Sequence, residues 1–260
     1  MNAGALLAMS DKKRREFFES KGVDLTNVAE KSAKYRDQWR KGLDKAVFDK
    51  HMRFYDSISL WSGDQPLHFT FNDWDSSLQD NSELAKKLGN ECFMLAKGLL
   101  SDNYNVMLSG NPGVGKTSLA LAMLDAMHDK QRTTMFVSTM SLAMLIDKRI
   151  DMPDVREKLN HVISAMKRVD VLLLDDFGTE GGMKQDIRPV RKDMQDRMFE
   201  VADARLATDK QGKRTKSTII TTNNTPKQLL KMYNEKLISR LLPHEAGHAV
   251  DFTGLKDVRK

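Results

Sequence analysis

From about residue 80 onward, apolar residues fall into two kinds of run. Short continuous ones predict buried strands: YNVMLS (104–109), TMFVST (134–139), VDVLLLDD (169–176), STIITTNN (217–224) and HAVDF (248–252). Between them SELAKKLGNECFMLAKGLL (82–100), KTSLALAMLDAMHD (116–129) and two stretches ending at Lys167 predict helices. Strands without polar alternation, separated by helices, are buried on both faces, which calls for a parallel sheet between helical layers. The expected fold class is therefore α/β, with a parallel five-stranded sheet flanked by helices.

The first 60 residues follow a different pattern. NVAEKSAKYRDQWRKGLDKAVFDKHMRFY (27–55) reads as a helix, with Tyr35, Trp39, Leu43 and Val47 at every fourth position. That stripe either packs on the neighbouring domain or forms a docking face for a partner. SGDQPLHFTFNDWDSS (62–77) interrupts the periodicity with Gly, Pro and Asp and reads as a boundary. The expected organisation is a small helical N-terminal domain with its linker over residues 1–68, and an α/β domain over residues 69–260.

Composition adjusts this picture modestly. Of 260 residues, 40% are hydrophobic, enough for a substantial core, and the formal charge is +6. Residues 1–55 hold 13 Lys and Arg against 8 Asp and Glu, so most of the excess lies there. A positive excess suits an anionic partner and also serves ordinary solubility. One cysteine, Cys92, excludes a disulfide framework and a cysteine-rich zinc module, so no structural zinc is expected. MNAGALLAMS has no basic start and too short an apolar run for a signal peptide, and no segment approaches the roughly 20 apolar residues of a membrane span. The expected setting is cytoplasmic, with no membrane partner.

The chemistry concentrates where strands meet helices. GNPGVGKT (110–117) fits the phosphate-binding pattern G-x-x-x-x-G-K-[ST], and it lies between a predicted strand and helix as that pattern requires. Gly110, Gly113 and Gly115 let backbone N–H groups face phosphates, and Asn111, Pro112, Val114 and Ser118 complete the cradle. Lys116 brings a point charge to the β- and γ-phosphates of ATP, the Thr117 hydroxyl suits Mg²⁺, and the helix N-terminus faces the same anion. At the end of VLLLDD, Asp175 is placed to bind the Mg²⁺ shell directly or through water. Asp176 is placed to orient or deprotonate the attacking water. Asn223 after STIITT stands where a polar side chain reaches the γ-phosphate or the water, with Asn224 as a competitor. Arg240 in KLISRLL is either a surface arginine or one supplied across a subunit interface.

VMLSGNPGVGKTSLALAM, VDVLLLDDFGTE, TIITTNN and LISRLL, in this order, resemble the DnaC/DnaI-type replicative helicase loaders of the AAA+ class. IstB-like transposition ATPases share the layout, and the likeness covers residues 69–260. It implies an AAA+ P-loop ATPase with Lys116 and Thr117 on phosphate and Mg²⁺, Asp175 and Asp176 as the Walker B pair, Asn223 as sensor 1, and Arg240 as an arginine finger acting in trans in a self-associated form. It also implies single-stranded DNA binding and loading of a hexameric replicative DNA helicase gripped by the N-terminal region. Arg188, Arg191 and Lys192, in GGMKQDIRPVRKDMQDRMF, are then candidates for DNA phosphates, or else a solvated face. No C-terminal lid domain is expected in the 20 residues after Arg240. The alternatives are a transposition helper acting on duplex DNA and an ATP-switched adaptor with negligible turnover.

One motif competes. HEAGH (244–248) matches H-E-x-x-H, in which a helix presents two histidines to zinc with a glutamate beside them. The extended signature calls for glycine at 251 and histidine at 254, whereas the chain has Asp251 and Gly254. HAVDFTG reads instead as the last strand and its turn, so the match is expected to be accidental.

Overall fold

Val171 to Leu174 have no exposed side chain, and their partners in the two flanking strands are buried as well; burial on both faces is the physical reason this chain builds a central parallel sheet. The computed structural model describes residues 11–22, 25–63, 65–128, 130–150, 152–182 and 186–259. The N-terminal ten residues, considered above for a signal sequence, lie outside them. By compactness the chain divides into Met1–Lys50 and His51–Lys260.

The smaller unit holds α1 (Asp11–Ser20) and most of a long helix, α2 (Leu25–Ile58). Tyr35 and Trp39 are 72% and 73% exposed, and Leu43 and Val47 are about half exposed, whereas Phe48 is buried. Asp37 pairs with Arg40 and Lys41 one helical turn on, at 2.8 and 2.9 Å, in exposed pairs of small energetic weight.

The larger unit runs from the last turns of α2 through α3 (Ser82–Leu99), β1 (Asn105–Ser109), α4 (Lys116–His128), β2 (Thr134–Ser138), α5 (Thr139–Lys148), α6 (Pro153–Arg168), β3 (Val171–Asp175), α7 (Lys192–Ala204), β4 (Ser217–Thr222), α8 (Pro226–Met232), α9 (Glu235–Leu241) and β5 (Ala249–Asp251). The sheet order is β2-β3-β4-β1-β5 and every pairing is parallel. Successive strand residues face opposite sides. Leu172, Leu174 and Ile220 join Ile146, Ile163, Met198 and Leu237 on one face. Val171, Leu173 and Ile219 join Leu88, Leu99, Leu119 and Met123 on the other. Each fully buried Leu or Ile contributes roughly 1.5–3 kcal/mol of transfer free energy, so the two faces together define the fold. All five expected strands and their flanking helices are present.

Residues 51–68, grouped with the N-terminal region by sequence, contribute to this larger unit. Met52, Ile58 and Leu60 are buried. The Leu60 N–H donates to Phe136 O at 3.0 Å, Ser138 N–H returns a bond to Leu60 O at 2.8 Å, and the Trp61 ring stacks on Phe136 at 4.1 Å. A single residue outside the period-two pattern thus extends the β2 edge, which no periodicity reveals.

Arg205, at the end of α7, has no exposed surface. It donates to Met166 O and Val169 O at the end of α6, to Asp170 O and Ser217 O, and to Thr218 Oγ1. The cation thereby satisfies carbonyls left open at a helix C-terminus, where positive charge is favoured, and it fixes the N-terminal ends of β3 and β4.

Candidate nucleotide site

Parallel pairing puts the C-terminal ends of β1, β3 and β4 on one edge, with Ser109 opposite Thr222 and Leu174 opposite Ile220. Because β4 lies between β1 and β3, the residue after β4 falls between whatever follows the other two. The loop 110–115 follows β1, Asp175 ends β3, and Asn223 follows β4.

The loop needs glycine at specific points. Gly113 and Gly115 adopt φ of +74° and +94°, the left-handed region. A Cβ on Gly113 would lie 1.8 Å from Asp257 Oδ1, and one on Gly115 would lie 2.6 Å from the Trp74 ring. Lys116 is only 5% exposed, and its three ammonium hydrogens have three acceptors: Gly110 O at 3.0 Å, Asn111 O at 2.7 Å and Asn223 Oδ1 at 2.8 Å. Burial pushes its pKa down to about 8; Asp176 and Asp175 oppose the fall, and the Arg259 cation adds to it. A bound phosphate would restore the charge.

Thr117 and Thr221 both donate to Asp175 Oδ1, at 2.8 and 2.7 Å. Burial pushes the Asp175 carboxyl up, against the hydrogen bonds from Thr221 and Thr117. The hard oxygen donors of Thr117 and Asp175, side by side under the loop, suit Mg²⁺. Asp176 stands at φ +53°, an uncommon conformation for a non-glycine residue. Its N–H donates to Thr221 Oγ1 at 2.9 Å, and its Oδ1 accepts from Asn223 Nδ2 at 3.3 Å. Asn223 therefore bridges Lys116 and Asp176. The competing Asn224 is 2% exposed and faces Gly178 instead.

These groups surround a cleft of about 260 Å³ lined by Pro112, Gly113, Gly115, Lys116, Thr117, Ser118, Asp176, Asn223, Val258 and Arg259. Arg240 is not among them. It sits on α9, donates to Asp203 Oδ1 at 2.8 Å and to Lys236 O at 2.9 Å, and lies over the Phe199 ring at 4.6 Å.

Two contributors escaped the sequence reading. Trp74, in the stretch taken as a boundary, covers Gly115 while its indole N–H donates to Ala85 O at 3.1 Å. The segment after β5 straps across the loop. Leu255 is buried, Gln79 clamps the Lys256 backbone with two 2.9 Å bonds, and the Val258 N–H donates to Gly113 O at 3.1 Å. Arg259 then faces the cleft, held to Asp257 at 2.7 Å. The only sequence signal was a cation shortly after the last strand, which matches no motif by itself.

The remaining candidates are dispersed. Arg188 pairs with Asp186 at 2.9 Å, Arg191 with Asp147 and Asp193, and Lys192 is exposed; residues 183–185 of that segment lie outside the described residues. HEAGH is not helical through its length. Ala246–His248 is a single 3-10 turn that passes straight into β5, and the His248 ring stacks on Tyr104 at 3.9 Å. The helical spacing that would bring two imidazoles to one face is missing. Among the described residues no helix is long and apolar enough to cross a membrane.

The family model for the IstB-like ATP binding protein matches residues 23–249. Comparison with curated proteins gives no match. Among solved structures, a DNA replication initiation factor superposes with a TM-score of 0.51 at 20% identity, covering 70% of this chain and 49% of that one. This chain thus spans about half the length of that factor. A candidate primosome component from Streptococcus pyogenes serotype M3 gives 0.50 at 19% identity, covering 74% and 88%. DnaI gives 0.49 at 17% identity, covering 72% and 91%. At such identities the likeness is one of fold, the AAA+ P-loop fold.

Proposed function

The chain belongs to the IstB-like ATP-binding protein family, and from that premise we propose that it is an ATPase of DNA replication that binds single-stranded DNA and loads a hexameric helicase. The observation that carries the ATPase reading is the convergence of Lys116, Thr117, Asp175, Asp176 and Asn223 on one cleft from three strand ends. In this reading Lys116 neutralises the β- and γ-phosphates, and Thr117 and Asp175 hold Mg²⁺, which supplies charge neutralisation on the phosphates when bound. Asp176 orients the attacking water and Asn223 keeps Asp176 and Lys116 in register. Arg259 reaches the same phosphates from the strap. Arg240, fastened to Asp203 away from its own cleft, exchanges that partner for the phosphates of a neighbouring subunit. The exposed Tyr35, Trp39, Leu43 and Val47 stripe on the basic helix α2 is the docking face for the helicase.

The replication assignment rests on the ordered motifs that resemble DnaC/DnaI-type loaders, and proteins of this fold include a DNA replication initiation factor. A second reading, a transposition helper on duplex DNA, follows from the layout shared with IstB-like transposition ATPases, whose family model matches this chain. One experiment separates them. Full-length protein with ATP is incubated with labelled single-stranded and duplex DNA, and separately with the replicative helicase and the transposase of its own cell. Preference for single strands, binding that falls steeply with salt, and retention of the helicase support the loader. Duplex preference with transposase retention supports the second reading. Binding to none of the four overturns both.

A further inference from the structure

The turn after β3 carries a half-buried acid that the nucleotide cleft does not use. Glu180 lies in the 3-10 turn Thr179–Gly181, and its carboxyl faces two hydroxyl-bearing side chains. Tyr233 donates its phenol to Oε1, and Thr139 Oγ1 lies 3.1 Å from Oε2. The same Thr139 oxygen is 3.0 Å from Asp176 O and 3.3 Å from Asp175 O. Thr139 is fully buried at the start of α5, and Tyr233 is buried with its ring stacked on Phe177 at 4.6 Å.

A hydroxyl has one proton to give, so Thr139 cannot donate to Glu180 and to Asp176 O at once. The contacts among Tyr233, Glu180, Thr139 and the Asp176 carbonyl are all hydrogen bonds in one arrangement only. Glu180 carries a proton and donates it to Thr139 Oγ1, Thr139 donates to Asp176 O, and Tyr233 donates to Glu180 Oε1. Burial pushes the Glu180 carboxyl up, in keeping with that arrangement, against hydrogen bonds from Tyr233, Thr139 and the backbone. The carbonyl so gripped belongs to the residue at φ +53°, which also accepts the Thr179 N–H at 3.1 Å. A strained conformation persists only where its surroundings over-determine it. Here the hydroxyls of Thr221 and Thr139 hold the two ends of the Asp176 residue, one at its N–H and one at its carbonyl.

The geometry points to Glu180 as a positioning residue: acting through the Thr139 hydroxyl, it holds Asp176 in the left-handed turn from which the Asp176 carboxylate meets Asn223. Tyr233 stands in the two-residue link between α8 and α9, so the same carboxyl ties this turn to the helix that carries Arg240. The inference rests on the ATPase reading above.

The test measures ATP turnover, fluorescent ATP affinity and thermal unfolding for full-length wild type, Glu180→Ala, Glu180→Gln, Thr139→Val and the Glu180→Ala/Thr139→Val double variant. Glu180→Ala and Thr139→Val are each expected to lower kcat about tenfold or more while ATP affinity stays within about twofold, because neither residue lines the cleft. Glu180→Gln is expected near the wild-type kcat, since its amide donates to Thr139 and accepts from Tyr233 as the protonated acid does. The double variant is expected to be no slower than the singles, as for two residues acting in one chain. Wild-type turnover in Glu180→Ala or Thr139→Val, a Gln variant as slow as Ala, or multiplying effects in the double variant would each overturn the proposal. If Glu180→Ala does not fold, Glu180→Gln and Thr139→Val, which preserve core volume, decide it by the same criteria. A wild-type chain that binds ATP without turnover is a separate result, visible before any variant, and defeats the ATPase reading and this proposal together.

Discussion

At the residue scale, Lys116 is the most informative group. With three acceptors for three hydrogens and a pKa pushed down to about 8 by burial, it is held charged less firmly than an exposed lysine. Phosphate raises that pKa again, so ATP binding should take up a proton where the free lysine is part neutral. Affinity should be flat below about pH 8 and fall as the pH rises above it. Calorimetry in two buffers of different ionisation enthalpy checks this; equal affinity on both sides of that pH with no proton uptake would rule it out. The motif residues were legible because each letter has a chemical duty independent of its surroundings. Asn223 was separable from Asn224 only in three dimensions, since the choice depends on which of two adjacent amides turns toward Lys116. The histidines of HEAGH show the converse: the spacing has meaning only on a helix, and here His248 leads directly into β5.

At the element scale, β1 to β4 were legible because parallel strands buried on both faces leave no polar alternation to confuse the reading; β5 alternates, with only Val250 buried, and followed from its short apolar run. Residues that make tertiary contacts one at a time were invisible, among them Leu60 on the edge of β2, Trp74 over the phosphate loop and the strap ending at Arg259. Arg205 belongs to the same class. Its guanidinium serves four backbone carbonyls and a hydroxyl from α6, β3 and β4. Arg205→Met keeps the bulk and removes the donors, leaving buried carbonyls open at a cost of roughly 3 kcal/mol. Thermal unfolding should shift down by about 10 °C for a unit of this size, with ATP affinity unchanged at low temperature. An unshifted midpoint would mean that water or other donors serve those carbonyls equally well.

At the scale of the whole molecule, the compact larger unit begins at His51, so a truncation meant to isolate the α/β unit has to retain Met52, Ile58 and Leu60. Arg240 carries the prediction about assembly. Arg240→Ala subunits should bind ATP normally and hydrolyse it poorly. Mixing them with Lys116→Ala subunits should restore part of the activity, because some interfaces then join an intact cleft to an intact arginine. Absence of rescue at every ratio would argue against action in trans. The central claim, that the cleft between β1, β3 and β4 hydrolyses ATP with Asp176 acting on the water, is tested most directly by one comparison. Steady-state ATP turnover of the full chain, with Mg²⁺ and single-stranded DNA, is measured beside Asp176→Ala, with ATP affinity measured for both. The account expects equal affinity and a loss of turnover of at least about a hundredfold in the variant; turnover at the wild-type rate in Asp176→Ala would contradict it.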